Sequence, residues 1–289
     1  MIDQNGGAVI VRATEARVAG VRSPILETGA PDHPEAVVFV HGNPGPKEDW
    51  ADVMGRLDPR IRAVAPDMPG YGGADRPPAF SYTIDGYAAH LDGILEGLGI
   101  QKVHLVLHDF GGPWGLRWVA DHKARVGSLV LVNTGVLRGY RWHRYARIWQ
   151  TPILGELFQL GTTRFGLETL INGANPRPLP AAFFDRVLAA ADWGHKRAVL
   201  KLYRASKDVA ALAEWQAERL RGLAIPTLVL WGTGDRFIPS AHAGAQREIF
   251  PRAEVHELDG CGHWPFLDEP ERFAALAVPF LTRQALAPA

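Results

Sequence analysis

VHLVLHDFGGPWG, residues 103–115, changes character midway, and the fold follows from how it does so. Val103 to Leu107 is a short apolar, β-branched run that suits a strand buried on both faces of a parallel sheet. From Gly112 through Leu116, Arg117, Trp118, Val119 and Ala120 the residues read as a helix start. The chain must therefore reverse from strand into helix within about two residues, a turn that only small neighbours such as Gly111 and Gly112 permit. Asp109 stands at its tip. Such a turn holds one side chain up at the carboxyl end of a sheet, where the helix N-terminus favours negative charge. The usual occupant is a serine, which must lose a proton before it attacks; a carboxylate is already ionised at neutral pH. The alternative is that Asp109 merely caps the helix.

Outward from this turn, strands and helices alternate. Ala8–Ala13 and Arg17–Thr28 read as early, partly exposed strands, and Ala36–Val40 as a fully apolar one that ends in His41-Gly42-Asn43-Pro44-Gly45-Pro46. So many Gly and Pro residues after a buried strand specify a loop whose amides point away from the sheet and can receive an oxyanion. Ile61–Pro66 gives another strand, and Tyr82–Leu98 has apolar residues at helical spacing, with Gly99 placed to end the helix. Val126–Val132, Pro226–Trp231 and Ala253–Leu258 complete the strands, and an apolar helix closes the chain. Between Val136 and Trp215 no strand is predicted, only helices over Trp142–Phe158, Pro180–Ala191 and Lys196–Tyr203. A helical cap inserted into an α/β core produces this pattern, with core at 1–135 and 216–289 and cap at 136–215.

With 289 residues, 47% of them hydrophobic, the chain can bury one large core. Its 31 basic residues balance 31 acidic ones, which favours neither nucleic acid nor an anionic membrane surface as partner. The single cysteine, Cys261, excludes an intrachain disulfide, and no run approaches the ~20 apolar residues of a membrane span. The N-terminal stretch does not read as a secretory signal, so a cytoplasmic protein is expected. Composition leaves the oligomeric state open.

Asp109, Asp235 and His263 each fall just past the carboxyl end of a predicted strand, in the order nucleophile, acid, histidine. In a doubly wound sheet those loops open on one edge, where distant residues can converge. Together with HGNPG (41–45), DMPGYG (67–72), HDFGG (108–112) and GCGHW (260–264), this order makes the chain resemble the aspartate-nucleophile branch of the α/β-hydrolase family, which contains epoxide hydrolases and haloalkane dehalogenases. The resemblance covers nearly the whole length. It implies an α/β-hydrolase fold, a mostly parallel central sheet flanked by helices and carrying a helical cap. It also implies an alkyl ester formed on Asp109 and hydrolysed by water that His263, held by Asp235, deprotonates; the amides of Asn43 and Phe110 would hold the oxyanion. Neither cofactor nor metal is implied, and the partners are a small apolar substrate and water. Asn133 occupies the position where some relatives carry their acid, and it cannot serve as an anion. Cys261 reads as a small packing residue.

The leaving group is less legible. An epoxide releases an alkoxide that must be protonated, whereas a halide needs only hydrogen-bond donors. Asn43 matches the dehalogenase pattern, yet Phe110 carries no donor, so a dehalogenase would need Trp142, Trp149 or Trp193. Tyr203-Arg204 resembles the Tyr-Arg pair of epoxide hydrolases, with Tyr145 or Tyr140 as second hydroxyl. The missing donor weighs more, and the expectation is an epoxide hydrolase. The alternatives are a haloalkane dehalogenase, then ester or C-C bond hydrolysis or a noncatalytic ligand-binding protein of the same fold. Asp109, His263, Asp235, Tyr203 and Tyr145 are the expected catalytic residues, and Asn43, Phe110, His41, Trp142 and Trp149 the expected oxyanion and substrate contacts, although His41 also reads as structural.

Overall fold

In a computed structural model that describes residues 11–287, eight strands form one sheet in the order β1-β2-β4-β3-β5-β6-β7-β8. They are β1 (Arg12–Val18), β2 (Val21–Thr28), β3 (Glu35–Val40), β4 (Ala63–Pro66), β5 (Lys102–His108), β6 (Val126–Val132), β7 (Thr227–Gly232) and β8 (Ala253–Leu258). Of the strand predicted at 8–13, residues 8–10 lie outside the described residues. β1 and β2 join antiparallel at one edge, and from β4 to β8 every neighbour is parallel. β5 lies between β3 and β6, and its residues from Val103 to His108 are all buried, which is why the stretch is continuously apolar rather than alternating.

Helices cover both faces. α2 (Ile84–Gly97) and α3 (Gly111–Asp121) pack Leu91, Ile94, Trp114 and Val119 onto one face. On the other face the short α1 (Ala51–Met54) and the C-terminal α12 (Pro270–Ala285) meet Val37, Phe39 and Val130. Thr83 caps α2 by accepting from the Gly86 amide.

Between β6 and β7 the chain is helical throughout: α4 (Arg144–Gln150), α5 (Leu154–Leu160), α6 (Arg164–Asn172), α7 (Ala181–Ala190), α8 (Trp193–Ala205) and α9 (Val209–Leu220). The single helix predicted over 142–158 is two. Pro152 has no amide proton to continue α4, Thr151 before it is extended, and Ile153 takes a φ of 67°. α6 and α9 were not predicted, and α9 runs beyond 215. These helices lie over the carboxyl edge of the sheet: His195 of α8 bonds the Gly70 carbonyl at 2.9 Å, and Arg186 of α7 reaches Asp49 at 2.8 Å. Past β7 come α10 (Ala241–Ala245) and α11 (Pro265–Asp268). Among the described residues no helix is long and apolar enough to cross a membrane.

Candidate active site

The predicted turn forms as β5, Asp109, Phe110, α3. Asp109 has a φ of 49°, a left-handed conformation strained for a residue with a side chain. Close packing requires the glycines beside it: a Cβ on Gly111 would lie 2.3 Å from the Val40 carbonyl oxygen, and one on Gly42 would lie 2.3 Å from Asp109 Oδ1. The Asp109 carbonyl accepts from Thr134 Oγ1 at 2.8 Å, which ties the turn to the end of β6. Asp109 therefore does not cap α3 with its side chain; that helix has no side-chain cap.

The loops after β3 and β8 bring two partners to this carboxylate, and the loop after β7 brings a third group behind one of them. The Asn43 amide donates to Asp109 Oδ1 at 2.7 Å, and His263 Nε2 lies 3.4 Å from Oδ2. On the far side of the imidazole, Nδ1 donates to Asp235 Oδ2 at 2.7 Å. Asp235 is itself fully engaged, because Oδ1 accepts from the amides of Phe237 (2.7 Å) and Ile238 (3.0 Å). Asn133 Nδ2 adds a bond to Oδ2 at 2.7 Å, and its Oδ1 accepts from the Gly232 amide at 3.2 Å. Asn133, set aside in the sequence as unable to act as an acid, thus orients the acid that the next strand supplies. The histidine loop is braced by Asn175, whose Oδ1 accepts from the His263 amide at 3.1 Å, and by His108 Nε2, which donates to the His263 carbonyl at 2.8 Å.

Charge follows from this enclosure. Burial alone would lower the His263 pKa, but the Asp235 and Asp109 carboxylates outweigh it and raise it to about 10. Burial would conversely raise Asp109, and the hydrogen bond and charge of His263 reverse this and hold the carboxyl below its usual range. The resting pair is carboxylate and imidazolium.

A cavity of about 670 Å³, its mouth included, opens over Asp109 and His263. Tyr203, buried on α8, faces it, and its hydroxyl oxygen accepts from Asn43 Nδ2 at 3.3 Å. Burial foremost, then the nearby Asp109 charge, pushes the phenol well above its ordinary pKa, so it stays protonated. Trp149 also lines the cavity, its ring centroid 4.7 Å from that of Tyr203 and its Nε1 without a partner among the described residues. His143, which the sequence does not single out, also lines the cavity, as do Gln159, Thr162 and His195. Its Nδ1 accepts from the Ala146 amide at 3.2 Å, leaving the proton on Nε2, and its ring stands edge-on to Tyr203 at 6.4 Å. The legible signal was an N-cap position at the start of α4, but a lone histidine there reads as surface.

Five other side chains named from the sequence are not among those lining this cavity. Tyr145 bonds Arg144, stacks on Phe158 and lines an outer groove rather than the cavity over Asp109 and His263. His41 spends both ring nitrogens on the backbone, Nδ1 on the Gly42 carbonyl at 2.8 Å and Nε2 on the Met68 amide at 2.9 Å, which makes it a brace of its loop. Trp142 stacks on Phe110 and donates Nε1 to the Ser206 carbonyl at 2.8 Å, leaving nothing for a halide. Tyr140 donates to the Phe237 carbonyl at 3.0 Å, and Trp193 is 56% exposed. The Phe110 amide makes no bond to the Asp109 carboxylate among the described residues. Cys261 is fully buried.

Burial also holds His90, His108, His143 and His195 neutral, with pKa lowered to about 4, 3, 4 and 4. In the unfolded chain each protonates near 6.5, so below that pH the unfolded state binds more protons and stability falls as pH drops. The buried Asp49 carboxyl, pushed up to about 7, takes up a proton in the native state and offsets about one of the four. His263 is protonated in both states there and contributes nothing to the slope. Burial lowers His41, His104 and His242 as well, which adds to the loss, and each net proton contributes about 1.4 kcal/mol per pH unit. Denaturant melts at pH 7, 5.5 and 4.5 are expected to show this loss; a flat profile would mean that these imidazoles are not held neutral.

The comparisons agree with this architecture. A family model described as the alpha/beta hydrolase fold matches residues 35–270. A cis-3-alkyl-4-alkyloxetan-2-one decarboxylase of Xanthomonas campestris pv. campestris is 29% identical, covering 92% of this chain and 94% of that protein. The solved haloalkane dehalogenase DbeA of Bradyrhizobium elkani superposes with a TM-score of 0.83 at 24% identity, covering 96% of this chain and 100% of that one. The epoxide hydrolase CorEH does so with 0.79 at 19% identity, covering 94% and 99%. The chain belongs to the alpha/beta hydrolase fold family.

Proposed function

We propose that the protein is an epoxide hydrolase that converts a small, largely apolar epoxide to a vicinal diol through an ester on Asp109. One observation carries the choice of leaving group: the Tyr203 hydroxyl is buried in the same cavity as Asp109 and His263, and its oxygen is occupied by the Asn43 amide group, which leaves its O–H free for a substrate oxygen. His143, neutral and protonated on Nε2, stands beside it where Tyr145 was expected.

The carboxylate of Asp109 attacks a ring carbon, the C–O bond breaks, and its electron pair goes to the epoxide oxygen, which takes the Tyr203 proton. The imidazolium of His263 reprotonates the phenolate and becomes a base, because esterification has removed the Asp109 charge that helped hold its proton. Water then gives its proton to His263 and adds to the ester carbonyl, whose oxyanion the Asn43 amide receives, with the Phe110 amide as the proposed second donor. On collapse the proton left on the Asp109 carboxyl passes to the departing alkoxide, and the resting charges return. In this mechanism the helical segment read as 136–215 acts as a lid that excludes bulk water. A strained C–O ring is also what the Xanthomonas relative's name describes as its substrate. The single, buried Cys261 suits a reducing compartment such as the cytoplasm.

Haloalkane dehalogenation is the second reading, favoured by the unpartnered Trp149 Nε1 in the same cavity as Asn43. Separate incubation with styrene oxide and 1-bromobutane tests both: diol without bromide is expected, and bromide without diol would reverse the order. Tyr203→Phe is expected to lower styrene oxide turnover on the order of 100-fold. A variant with unchanged diol formation would remove Tyr203 from the chemistry.

A further inference from the structure

A second cavity, of about 480 Å³ with its mouth included, also reaches Asp109. A partition of three rings separates the two: Phe110 stacks on Trp142 at 5.7 Å and meets Tyr203 edge-on at 5.0 Å, while Trp142 and Tyr203 are 5.4 Å apart. Asp109 lines both chambers. The walls of the second are mostly apolar, with Leu137, Val209, Leu212 and Ile238 among them.

Its polar side chains divide into two groups. Thr134 Oγ1 is spent on the Asp109 carbonyl, Tyr140 on the Phe237 carbonyl and Trp142 Nε1 on the Ser206 carbonyl. Gln216 on α9 and Ser206 after α8 are different. They are 2% and 7% exposed, and Gln216 Nε2 and Ser206 Oγ have no partner among the described residues. Buried donors are ordinarily bonded, so two orphans lining one cavity call for an acceptor.

We propose that this chamber binds one substituent of a substrate whose reacting carbon sits at Asp109, and that the substituent carries an acceptor oxygen which Gln216 and Ser206 receive. The preferred substrates are then 1,2-disubstituted epoxides with one arm in each chamber, the arm toward α9 bearing a ketone or similar carbonyl. The substrate class rests on the proposed epoxide hydrolysis, whereas the chamber's affinity for a carbonyl can be measured without it.

Three probes share a phenyl group: styrene oxide, trans-1-phenyl-1,2-epoxyhexane, and trans-6-phenyl-5,6-epoxyhexan-2-one, which has the same skeleton with a carbonyl. In the full-length enzyme the ketone is expected to have the highest kcat/KM. Gln216→Met is expected to lose at least tenfold on the ketone alone and to melt no lower than the wild type, since it replaces an unpaired buried amide by an apolar side chain of similar size. Ser206→Ala should lose in the same direction. Calorimetric binding of the unreactive alkene trans-6-phenyl-5-hexen-2-one supplies a readout independent of turnover, with a Kd about tenfold weaker in Gln216→Met. Should no epoxide be opened while the alkene still discriminates between the two proteins, the reaction assignment fails and the chamber stands. Equal behaviour of the ketone and its apolar counterpart in wild type and variants, or alkene binding that ignores Gln216, would overturn the chamber and mean that water satisfies both groups.

Discussion

Asp109→Ala is expected to abolish turnover of every substrate the enzyme accepts, by on the order of 10⁴-fold or more, and to form no covalent species with any of them. The expectation rests on position. A left-handed φ of 49° holds the carboxylate above the sheet edge, one oxygen on the Asn43 amide and the other 3.4 Å from His263 Nε2. Among the described residues no other carboxylate lines the cavity. The variant loses the ion pair with His263 but no apolar contact of the sheet, and the turn stays braced by Thr134, so its far-ultraviolet dichroism and cooperative melt should persist. Activity above about 1% in a folded Asp109→Ala protein would place the nucleophile elsewhere and would undo the ester mechanism.

How much of this site could be read beforehand depended on whether a residue acts through the backbone or through a packed side chain. Val103–Leu107 and Asp109 were legible because a buried parallel strand and a glycine-bounded reversal leave local signatures. Asp235 and His263 are legible because each falls in the loop just past the carboxyl end of a predicted strand. The helical segment between β6 and β7 is less legible. Its helices carry no fixed register relative to the sheet, so the spacing of Tyr145 and Tyr203 could not reveal that only Tyr203 turns inward while Tyr145 lies against Phe158. His143 escaped notice for the same reason. Asn133 was judged by what it cannot do, carry charge, and its use as a hydrogen-bond donor to Asp235 emerges only when β6 and β7 lie side by side. His41, inside a motif, spends its ring on the loop, which shows that a motif residue can serve the shape of a turn rather than its chemistry.

His263→Gln is expected to separate the two half-reactions. Alkylation of Asp109 needs no base, so the variant should still consume one equivalent of styrene oxide per active site and then stop, with hydrolysis of the ester slowed by about 10²–10⁴-fold. Mass spectrometry should find the adduct on the peptide that contains Asp109. The wild type should approach the same state by acidification. In the resting enzyme two carboxylates hold the His263 pKa up at about 10, and esterification removes one of them, so the base acquires a lower pKa in the intermediate than in the free enzyme. Below that lower pKa the imidazole remains protonated and cannot activate water, while Asp109, held below the usual carboxylate range, still attacks. Ester should therefore accumulate in the wild type as the pH falls toward 5, and in the variant at every pH. Acidification and substitution act on the same proton acceptor, so their effects should not add. A His263→Gln enzyme that turns over steadily, or whose ester breaks down faster at low pH than at neutral pH, would show that water is activated by some group other than this imidazole.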